Sequence, residues 1–267
     1  MITASSNPQI RQLQKWQSKA SARREDGIFL AEGLRLVSEA PPQLVRKLYL
    51  SEHLAAQDVP ELALLVRSVP CETVADDLFP RISSTQTPQG VLAVLDRPSY
   101  SESDVFSVKN PLFLVCETLQ DPGNLGTIFR SAEAAGVSAL LLSSDSVDPF
   151  SPKVVRSTMG AIFRVPFLLW EDGDALMRRL KSAGVTSYAA HLQGKVFYHE
   201  LDYTGPTAFL IGNEGNGLSD HLASLADTYL KIPMAGRAES LNASVAASLL
   251  MYEAYRARAF AQPESSL

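Results

Sequence analysis

Short apolar runs without polar alternation recur through the second half of this chain, and they restrict its fold more than any other feature. The runs cover residues 112–116, 139–142, 165–170, 186–190, 207–211 and 229–232. Strands that are apolar on both faces are typical of parallel sheets, whose two faces are covered by helices. Helical patterns lie between or after these runs, at 125–135, 152–160, 173–183 and 241–260. We therefore predict an α/β fold with a mostly parallel sheet.

The first part of the chain is predicted to be a separate, small α/β domain, at residues 1–96. Its pattern predicts a helix, a short strand or turn, a second helix and two further strands, at 8–24, 27–33, about 33–40, 45–50 and 91–95. The stretch 96–111 carries two prolines and several Ser and Asp residues, which is typical of a linker. We place the linker at 97–110 and the larger domain at 111–267.

Composition narrows the class of protein. The 267 residues are 46% hydrophobic, which is enough for two cores, and no apolar run approaches the roughly 18 residues of a membrane span. The first residues hold no apolar stretch of a secretory signal, so we expect a cytoplasmic protein. Cys71 and Cys116 form no CxxC pair, and the four histidines show no ligand spacing with them. Neither a disulfide framework nor a metal site is expected.

Positive charge forms a pattern near the N-terminus, although the net charge of the chain is −5. That total argues against a protein that coats nucleic acid without specificity. Four basic residues nevertheless recur every four positions, and they are Arg11, Lys15, Lys19 and Arg23. On a helix this spacing gives a slowly drifting stripe along one side. The stripe is either a solvated helix face or an RNA-contact surface.

Three polar, glycine-rich segments each follow an apolar run and lead into a helical pattern, at 121–130, 211–219 and 232–244. In open α/β sheets the loops at the carboxyl ends of strands form the ligand crevice. The three segments therefore predict one composite site. In the first segment, Asn124 offers a donor and an acceptor, and Arg130 follows six residues later. The alternative interpretation makes Asn124 a helix cap and Arg130 a surface cation.

The other two segments add a carboxylate and further small polar side chains. Glu214 is enclosed by glycines, which is unusual at a strand end, although an ordinary loop carboxylate is the alternative. Ser240 and Asn242 precede a helix whose first turns are rich in alanine and serine, so another backbone or a ligand can approach closely. Ser240 is either a ligand-facing residue or an N-cap.

Motif spacing disfavours three common enzyme classes. The glycines of the second segment follow the pattern GxxGxG, which differs from the dinucleotide-binding pattern GxGxxG. The chain also holds no Gly-Lys-Ser/Thr of a P-loop and no GxSxG nucleophile elbow. A Rossmann oxidoreductase, a P-loop NTPase and a Ser-His-Asp hydrolase are therefore all disfavoured.

In order and content, the three segments resemble motifs 1, 2 and 3 of the SpoU/TrmH family of SPOUT RNA methyltransferases. This resemblance covers roughly half of the chain. The N-terminal part is similar to the L30e-like substrate-binding domain of many such enzymes, through residues 6–8 with the basic helix after them, 29–33 and 86–91. Domains of that type bind ribosomal or other structured RNA.

The resemblance implies a SPOUT α/β-knot catalytic domain, whose C-terminal segment threads a trefoil knot, an exception to the rule against threaded chains. It also implies a homodimer formed through the catalytic domain, S-adenosyl-L-methionine as cofactor, and methylation of a ribose 2′-hydroxyl. By position in the motifs, the cofactor contacts are expected at Gly212, Ile232 and Leu241. The catalytic or substrate-orienting groups are expected at Asn124, Arg130, Glu214, Ser240 and Asn242.

The substrate is inferred by analogy with the N-terminal domain. An L30e-like domain favours 23S (large-subunit) rRNA over tRNA, and Arg11, Lys15, Lys19 and Arg23 are its expected RNA contacts. Two alternatives stay open, a tRNA 2′-O-methyltransferase and a non-catalytic RNA-binding module of the same fold. The presence of the whole set of expected catalytic side chains argues against the second alternative.

Overall fold

The structure, a computed structural model, describes residues 1–260 and divides the chain into two compact units. Unit 1 combines Met1–Ser99 with Asp148–Phe163, and unit 2 combines Tyr100–Val147 with the chain from Arg164 onward. A segment from the middle of the predicted larger domain thus belongs to the N-terminal unit. The end of that predicted domain, residues 261–267, lies outside the described residues.

Strands and helices alternate along most of residues 1–260. The strands are β1 (Ile28–Glu32), β2 (Val45–Ser51), β3 (Cys71–Val74), β4 (Val91–Asp96), β5 (Leu112–Cys116), β6 (Ala139–Ser143), β7 (Phe167–Trp170), β8 (Thr186–Ala190), β9 (Val196–Phe197), β10 (Thr207–Ile211) and β11 (Thr228–Lys231). The α-helices are α1 (Pro8–Ser18), α2 (Ala20–Glu25), α3 (Leu34–Ser38), α4 (Glu52–Ala55), α5 (Ala63–Ser68), α6 (Glu102–Phe106), α7 (Pro122–Ala134), α8 (Pro152–Ser157), α9 (Gly173–Ser182), α10 (Asp220–Ser224) and α11 (Ala243–Phe260).

Unit 2 is built on a parallel sheet, with the strand order β7-β6-β5-β10-β8-β11-β9. Every pairing in this sheet is parallel, which confirms the prediction. The two strands β5 and β10 are buried at every residue. Successive side chains of a strand point to opposite faces, so complete burial requires cover on both faces. On one face Phe113 and Val115 pack with Leu141 and Leu210 in a common core.

Unit 1 contains a smaller mixed sheet, in the order β1-β4-β2-β3. Strand β4 is antiparallel to both β1 and β2, and β3 is parallel to β2. Ile10 and Leu13 of α1 are fully buried in a core that includes Ile28, Leu30 and Leu92 from the sheet. Strand β3 escapes the sequence pattern because only Val74 in it is buried.

The helix expected at 8–24 is two helices, because the backbone is extended at Lys19, with φ −118° and ψ 112°. The turn allows the guanidinium of Arg23 to donate to the carbonyl oxygen of Trp16 at 2.7 Å. Carbonyl groups at the end of a helix lack partners within the helix, and Arg23 supplies one.

The stretch expected to be a linker contains helix α6. The hydroxyl of Ser101 accepts a hydrogen bond from the backbone amide of Asp104, as an N-cap residue does. Val105 is buried in the core of unit 2. The serines and aspartates that suggest a linker are therefore, in part, the cap and first turn of a packed helix.

Arg258 fixes the far end of α11 to the rest of unit 2. Its guanidinium donates to the backbone carbonyl oxygens of Tyr203, Asn110, Pro111 and Gly205, at 2.7–3.1 Å. Burial lowers the pKa of this guanidinium from its ordinary value. The ion is stabilised by these four carbonyl groups, because a buried charge must be hydrogen-bonded. These bonds fix the C-terminal end of α11.

The segment Asp148–Phe163 supplies polar and aromatic partners inside unit 1. Arg23, whose side chain is 4% exposed, forms an ion pair with Asp148 at 2.7 Å. The ring of Phe29 packs against Phe150 with centroids 5.0 Å apart. The guanidinium of Arg97 lies 4.5 Å from the centre of the same Phe150 ring. Without this segment, residues 1–96 would leave the buried Arg23 without its counter-charge and Phe29 without the ring of Phe150.

We predict that Asp148→Asn lowers the free energy of unfolding by about 2 kcal/mol, because it leaves the buried Arg23 charge uncompensated. The amide retains an oxygen that can accept from the backbone of Phe150, so the local turn is kept. Asp96→Asn is the matched control, since Asp96 and its partner Arg46 are both 44% exposed and such pairs contribute at most about 1 kcal/mol. Urea unfolding measures both variants, and equal losses would contradict the assigned role of Asp148.

Candidate active site

The three glycine-rich segments meet at one edge of the unit 2 sheet. Strand β10 lies between β5 and β8, and all three run parallel. The loops that follow them therefore leave the sheet at the same edge. The first segment continues from β5 into α7, the second follows β10, and the third joins β11 to α11. The site predicted from the three segments is thus assembled by the strand order.

Asn124 and Glu214 connect the first segment to the second. The carboxylate of Glu214 accepts hydrogen bonds from the side-chain amide of Asn124 at 3.0 Å and from the backbone amides of Gln120 and Asp121 at 3.1 Å each. The Asp121 side chain in turn caps α7 by accepting from the backbone amide of Asn124 at 2.8 Å. A single carboxylate thus holds the turn that leads into α7.

Asn124 also connects the first segment to the third. Its carbonyl oxygen accepts from the amide of Asn242 at 2.9 Å and from the hydroxyl of Ser244 at 3.3 Å. The carbonyl oxygen of Asn242 accepts from the backbone amides of Ser244 and Val245 at the start of α11. Since Glu214 can only accept, the orientation of both amide groups is determined along the chain of bonds.

Hydrogen bonding favours the charged form of Glu214. Partial burial on its own raises the pKa of this carboxyl group, but the bonds donated by Asn124 and by nearby backbone amides outweigh it, and the net pKa lies below the ordinary value. Glu214 is therefore an anion at neutral pH. Its charge is committed to three donors of the first segment.

Gly212 is required by the loop itself. The chain reverses between Asn213 and Gly217, whose backbones exchange two hydrogen bonds, at 3.0 and 2.9 Å. A Cβ atom at Gly212 would lie 2.1 Å from the backbone of Gly217 and Leu218. No side chain fits there without a change in the backbone. This constraint accounts for the glycine without a ligand, and the expected cofactor contact at Gly212 stays a prediction.

A pocket of about 290 Å³ opens beside this loop. All three expected cofactor residues line it, Gly212, Ile232 and Leu241, together with Glu214 and Ser240. Asn124 and Asn242 do not belong to the lining found among residues 1–260, and they lie behind it in the hydrogen-bond network. The structure therefore separates residues that face the pocket from residues that brace its walls.

Arg130 is exposed on α7 and lies outside this network. Six residues separate it from Asn124, which is 9% exposed, and that spacing turns the two side chains to different sides of the helix. No hydrogen bond or ion pair involving Arg130 occurs among residues 1–260. Its guanidinium is available to an external partner.

The carboxyl end of β8 contributes pocket residues that the sequence interpretation did not include, namely Ala190, His191 and Leu192. His191 packs against Tyr229 with ring centroids 5.3 Å apart, and its Nδ1 accepts from the backbone amide of Gln193 at 3.3 Å. Strand β8 is followed by no glycine-rich motif. These residues could have been predicted only from the place of β8 in the parallel sheet, beside β10, which leads into the second segment.

The basic stripe of the N-terminal unit is shorter than expected. Arg11, Lys15 and Lys19 are exposed, whereas Arg23 is buried in its ion pair with Asp148. The extended backbone at Lys19 turns α2 away from the direction of α1. Arg23 is therefore corrected from an RNA-contact residue to a structural one, and the other three stay candidates.

Two further observations concern metals and membranes. The part of the chain that the structure describes contains no group of three or more His, Cys, Asp or Glu side chains that could hold a metal ion. No helix within residues 1–260 is long and apolar enough to cross a membrane.

Comparison with family models identifies both parts of the chain. Residues 111–252 match the model described as the SpoU rRNA Methylase family. Residues 7–93 match the MRM3-like substrate binding domain. The two matches correspond to the predicted order of domains.

Individual proteins match over nearly the whole length. The 23S rRNA (guanosine(2553)-2′-O)-methyltransferase RlmP of Bacillus subtilis is 32% identical, with 94% of this chain and 97% of the relative covered. The 23S rRNA (uridine(2479)-2′-O)-methyltransferase of Streptomyces viridochromogenes is 31% identical, with 92% and 89% covered. The crystal structure of AviRb from the same organism, in complex with the cofactor AdoMet, superposes with a TM-score of 0.85 at 30% identity over 95% of this chain and 99% of that one.

We predict that Glu214→Gln lowers the stability of the protein at neutral pH, because a carboxamide cannot accept from all three donors. A depressed native pKa contributes stability that is present above the unfolded value, roughly 4.3, and is lost as pH falls through the native value. The difference between wild type and variant should therefore shrink as pH falls below 4.3. Urea unfolding at several pH values measures it. A pH-independent difference would contradict the role of the Glu214 charge, and Glu239→Gln, an exposed pocket residue, is the control.

Proposed function

The chain belongs to the SpoU rRNA methylase family, and we propose that it transfers a methyl group from S-adenosyl-L-methionine to a ribose 2′-hydroxyl of 23S rRNA. The observation that carries the proposal is the match over nearly the full length, including the N-terminal unit, to relatives named as 23S rRNA 2′-O-methyltransferases. The tRNA alternative is less favoured because these relatives are named for methylation of 23S rRNA.

The pocket beside the Asn213–Gly217 turn fits the cofactor. Apolar side chains line part of it, Leu192, Ile232 and Leu241 among them, and suit a purine ring. Glu214 and Glu239 add negative charge, which suits the positive sulfonium. The backbone amides of Gly215 and Asn216 donate to the side-chain oxygen of Asn213, which holds the turn in its shape beside the pocket. When bound, the cofactor supplies an already activated methyl group.

Arg130 is proposed to bind the RNA side of the site. Its planar guanidinium suits a phosphate group, and the side chain is exposed. We assign Arg130 the task of orienting the substrate, not of removing the proton. A phosphate oxygen of the substrate, held by Arg130, accepts the hydroxyl proton instead. The principal task of the protein is then to align the reacting groups.

The remaining candidate residues divide into two roles. Ser240, in the pocket lining, is proposed to contact the cofactor or the nucleotide. Asn124, Glu214 and Asn242 are proposed as positioning residues, since their side chains bond to one another and to the start of α11. Through this network the pocket loops and helix α7, which carries Arg130, keep a fixed relation within unit 2.

A homodimer formed through the catalytic domain is proposed, with helix α11 as part of its interface. Four large side chains of α11 are exposed by 38–47%, and they are Val245, Leu249, Tyr252 and Tyr255. Contiguous exposed apolar surface of this kind marks association sites. Membership of the family supports a trefoil knot in the catalytic domain, and the ribosomal target supports action in the cytoplasm.

We predict that Arg130→Ala reduces single-turnover methyl transfer to a 23S rRNA transcript by on the order of 10²–10³, because a contact to developing or fixed charge is lost. Affinity for S-adenosylhomocysteine, measured by calorimetry, should stay unchanged. Arg178→Ala is the control, since Arg178 is another exposed arginine of unit 2, on α9. Near-normal transfer by Arg130→Ala would refute the proposed role of Arg130. No transfer by wild type to either 23S rRNA or tRNA would refute the proposed activity.

We also predict that Leu249→Glu converts a dimer into monomers, because a charge is then buried against the apolar partner surface. Static light scattering with size-exclusion chromatography gives the mass. Val108→Glu, which alters an equally exposed valine of unit 2 outside α11, should leave the mass at that of the wild type. A wild-type mass of one chain would contradict the proposed dimer.

A further inference from the structure

A buried carboxylate in unit 1 holds an uncharged polar loop in place. Glu32, at the end of β1, is 8% exposed. It accepts hydrogen bonds from the hydroxyl groups of Ser83, Ser84 and Thr85, and a further one from the backbone amide of Ser84 at 2.8 Å. A buried carboxylate is stable only when its oxygens are fully hydrogen-bonded, and these four donors provide that. The position of the loop at 83–85 is therefore fixed by β1.

Ser84 connects this loop to an arginine on α8. Nη1 of Arg156 donates to Ser84 Oγ at 2.9 Å, and the same hydroxyl donates to Glu32 at 2.8 Å. A hydroxyl has one proton and two lone pairs, so it forms both bonds at once. Arg156 is partly exposed, and no carboxylate among residues 1–260 forms an ion pair with it. The buried Glu32 thus orients a cation that keeps its charge for an external partner.

A second cation and several neutral polar groups surround Arg156. Lys153 is exposed and lies three residues earlier on α8, so the two side chains lie on the same side of the helix. The loop at 83–90 contains no charged residue, and four of its polar side chains are exposed, those of Ser84, Gln86, Thr87 and Gln89. The side-chain oxygen of Gln89 accepts from the backbone amide of Leu34 at 2.9 Å, which connects the far end of the loop to α3.

We propose that the loop at 83–90 and helix α8 form an RNA-contact surface, in which Arg156 and Lys153 bind backbone phosphates. Cations bind phosphates and set the register, whereas hydroxyl and amide groups such as those of the loop bind ribose 2′-hydroxyls and base edges. Both kinds of group occur here, and hydrogen bonds through Glu32 and Ser84 hold Arg156 and residues 83–85 in one arrangement. This inference rests on the proposed function, because it takes the substrate to be structured RNA. It differs from the stripe on α1, whose cations have no such supporting network.

The test measures RNA affinity as a function of salt for the full chain, with a fluorescently labelled, unmodified 23S rRNA transcript as the probe. Arg156→Gln and Lys153→Gln each remove one phosphate contact, so each should lower the slope of log affinity against log salt by roughly 0.7–0.9. Ser84→Ala keeps the charge but releases the guanidinium. Ser84→Ala should weaken RNA binding several-fold with little change in slope. Arg156→Lys should also bind RNA more weakly than wild type, because an ammonium group lacks the planar fork of the guanidinium.

Arg67→Gln is the matched control, since Arg67 is an exposed arginine of unit 1 on α5, among apolar residues of a different surface. It should behave as wild type, and all variants should bind S-adenosylhomocysteine normally because that pocket belongs to unit 2. Slopes for Arg156→Gln and Lys153→Gln equal to that of Arg67→Gln would overturn the inference. A reduced slope only in Arg11→Gln and Lys15→Gln would also overturn the inference, because RNA would then contact the stripe on α1. Lys153 is exposed and its side chain forms no bond in this network, so Lys153→Gln should fold normally. Its salt slope therefore tests the proposal even if Arg156→Gln is unstable. Failure of the proposed function is distinct, since wild type would then bind the transcript without methylating it.

Discussion

The hydrogen bonds of Asn124 are the constraint on which the candidate active site depends. Its side chain donates to Glu214 and accepts from Asn242, and so it joins its own segment to two others, which lie 90 and 118 residues further along the chain. Because Glu214 can only accept, the arrangement has one orientation, and loss of any member leaves a polar group without a partner. The walls of the pocket are thereby fixed before a ligand arrives, and preorganised groups act without reorganisation cost.

The sheet and the last helix supply the frame for this junction. The parallel order places the ends of β5, β10 and β8 side by side, while Arg258 anchors the C-terminal turn of α11 to four carbonyl groups. Asn242 holds the first turn of the same helix. The helix is thus held at both ends, and the loop before it, which lines the pocket, spans a fixed distance. Binding energy for the cofactor then need not be spent on ordering the loop.

The fold of unit 2 and the convergence of the three glycine-rich segments can be predicted from the sequence, whereas the contacts of the individual residues inside the candidate site cannot. Buried parallel strands have a clear apolar pattern, so the sheet and the meeting of the three segments are predictable. The burial of a residue by a partner that is distant in sequence leaves no periodic pattern in the sequence. Arg23 has the spacing of a surface stripe, yet Asp148, 125 residues away, takes it into the core. For the same reason the transfer of Asp148–Phe163 to unit 1 and the bracing role of Asn124 depend on tertiary contacts that periodicity does not encode.

The most direct measurement uses the chemistry of the product. A 23S rRNA transcript is methylated with tritiated S-adenosyl-L-methionine and then hydrolysed completely with alkali, which requires a free 2′-hydroxyl at each cleaved linkage. Transfer to a ribose 2′-oxygen leaves the label in an alkali-resistant dinucleotide, and this is the result that the account predicts. Label in mononucleotides would mean that a base is methylated. That result, or the absence of transfer by a folded protein that binds the cofactor, would contradict the proposed function.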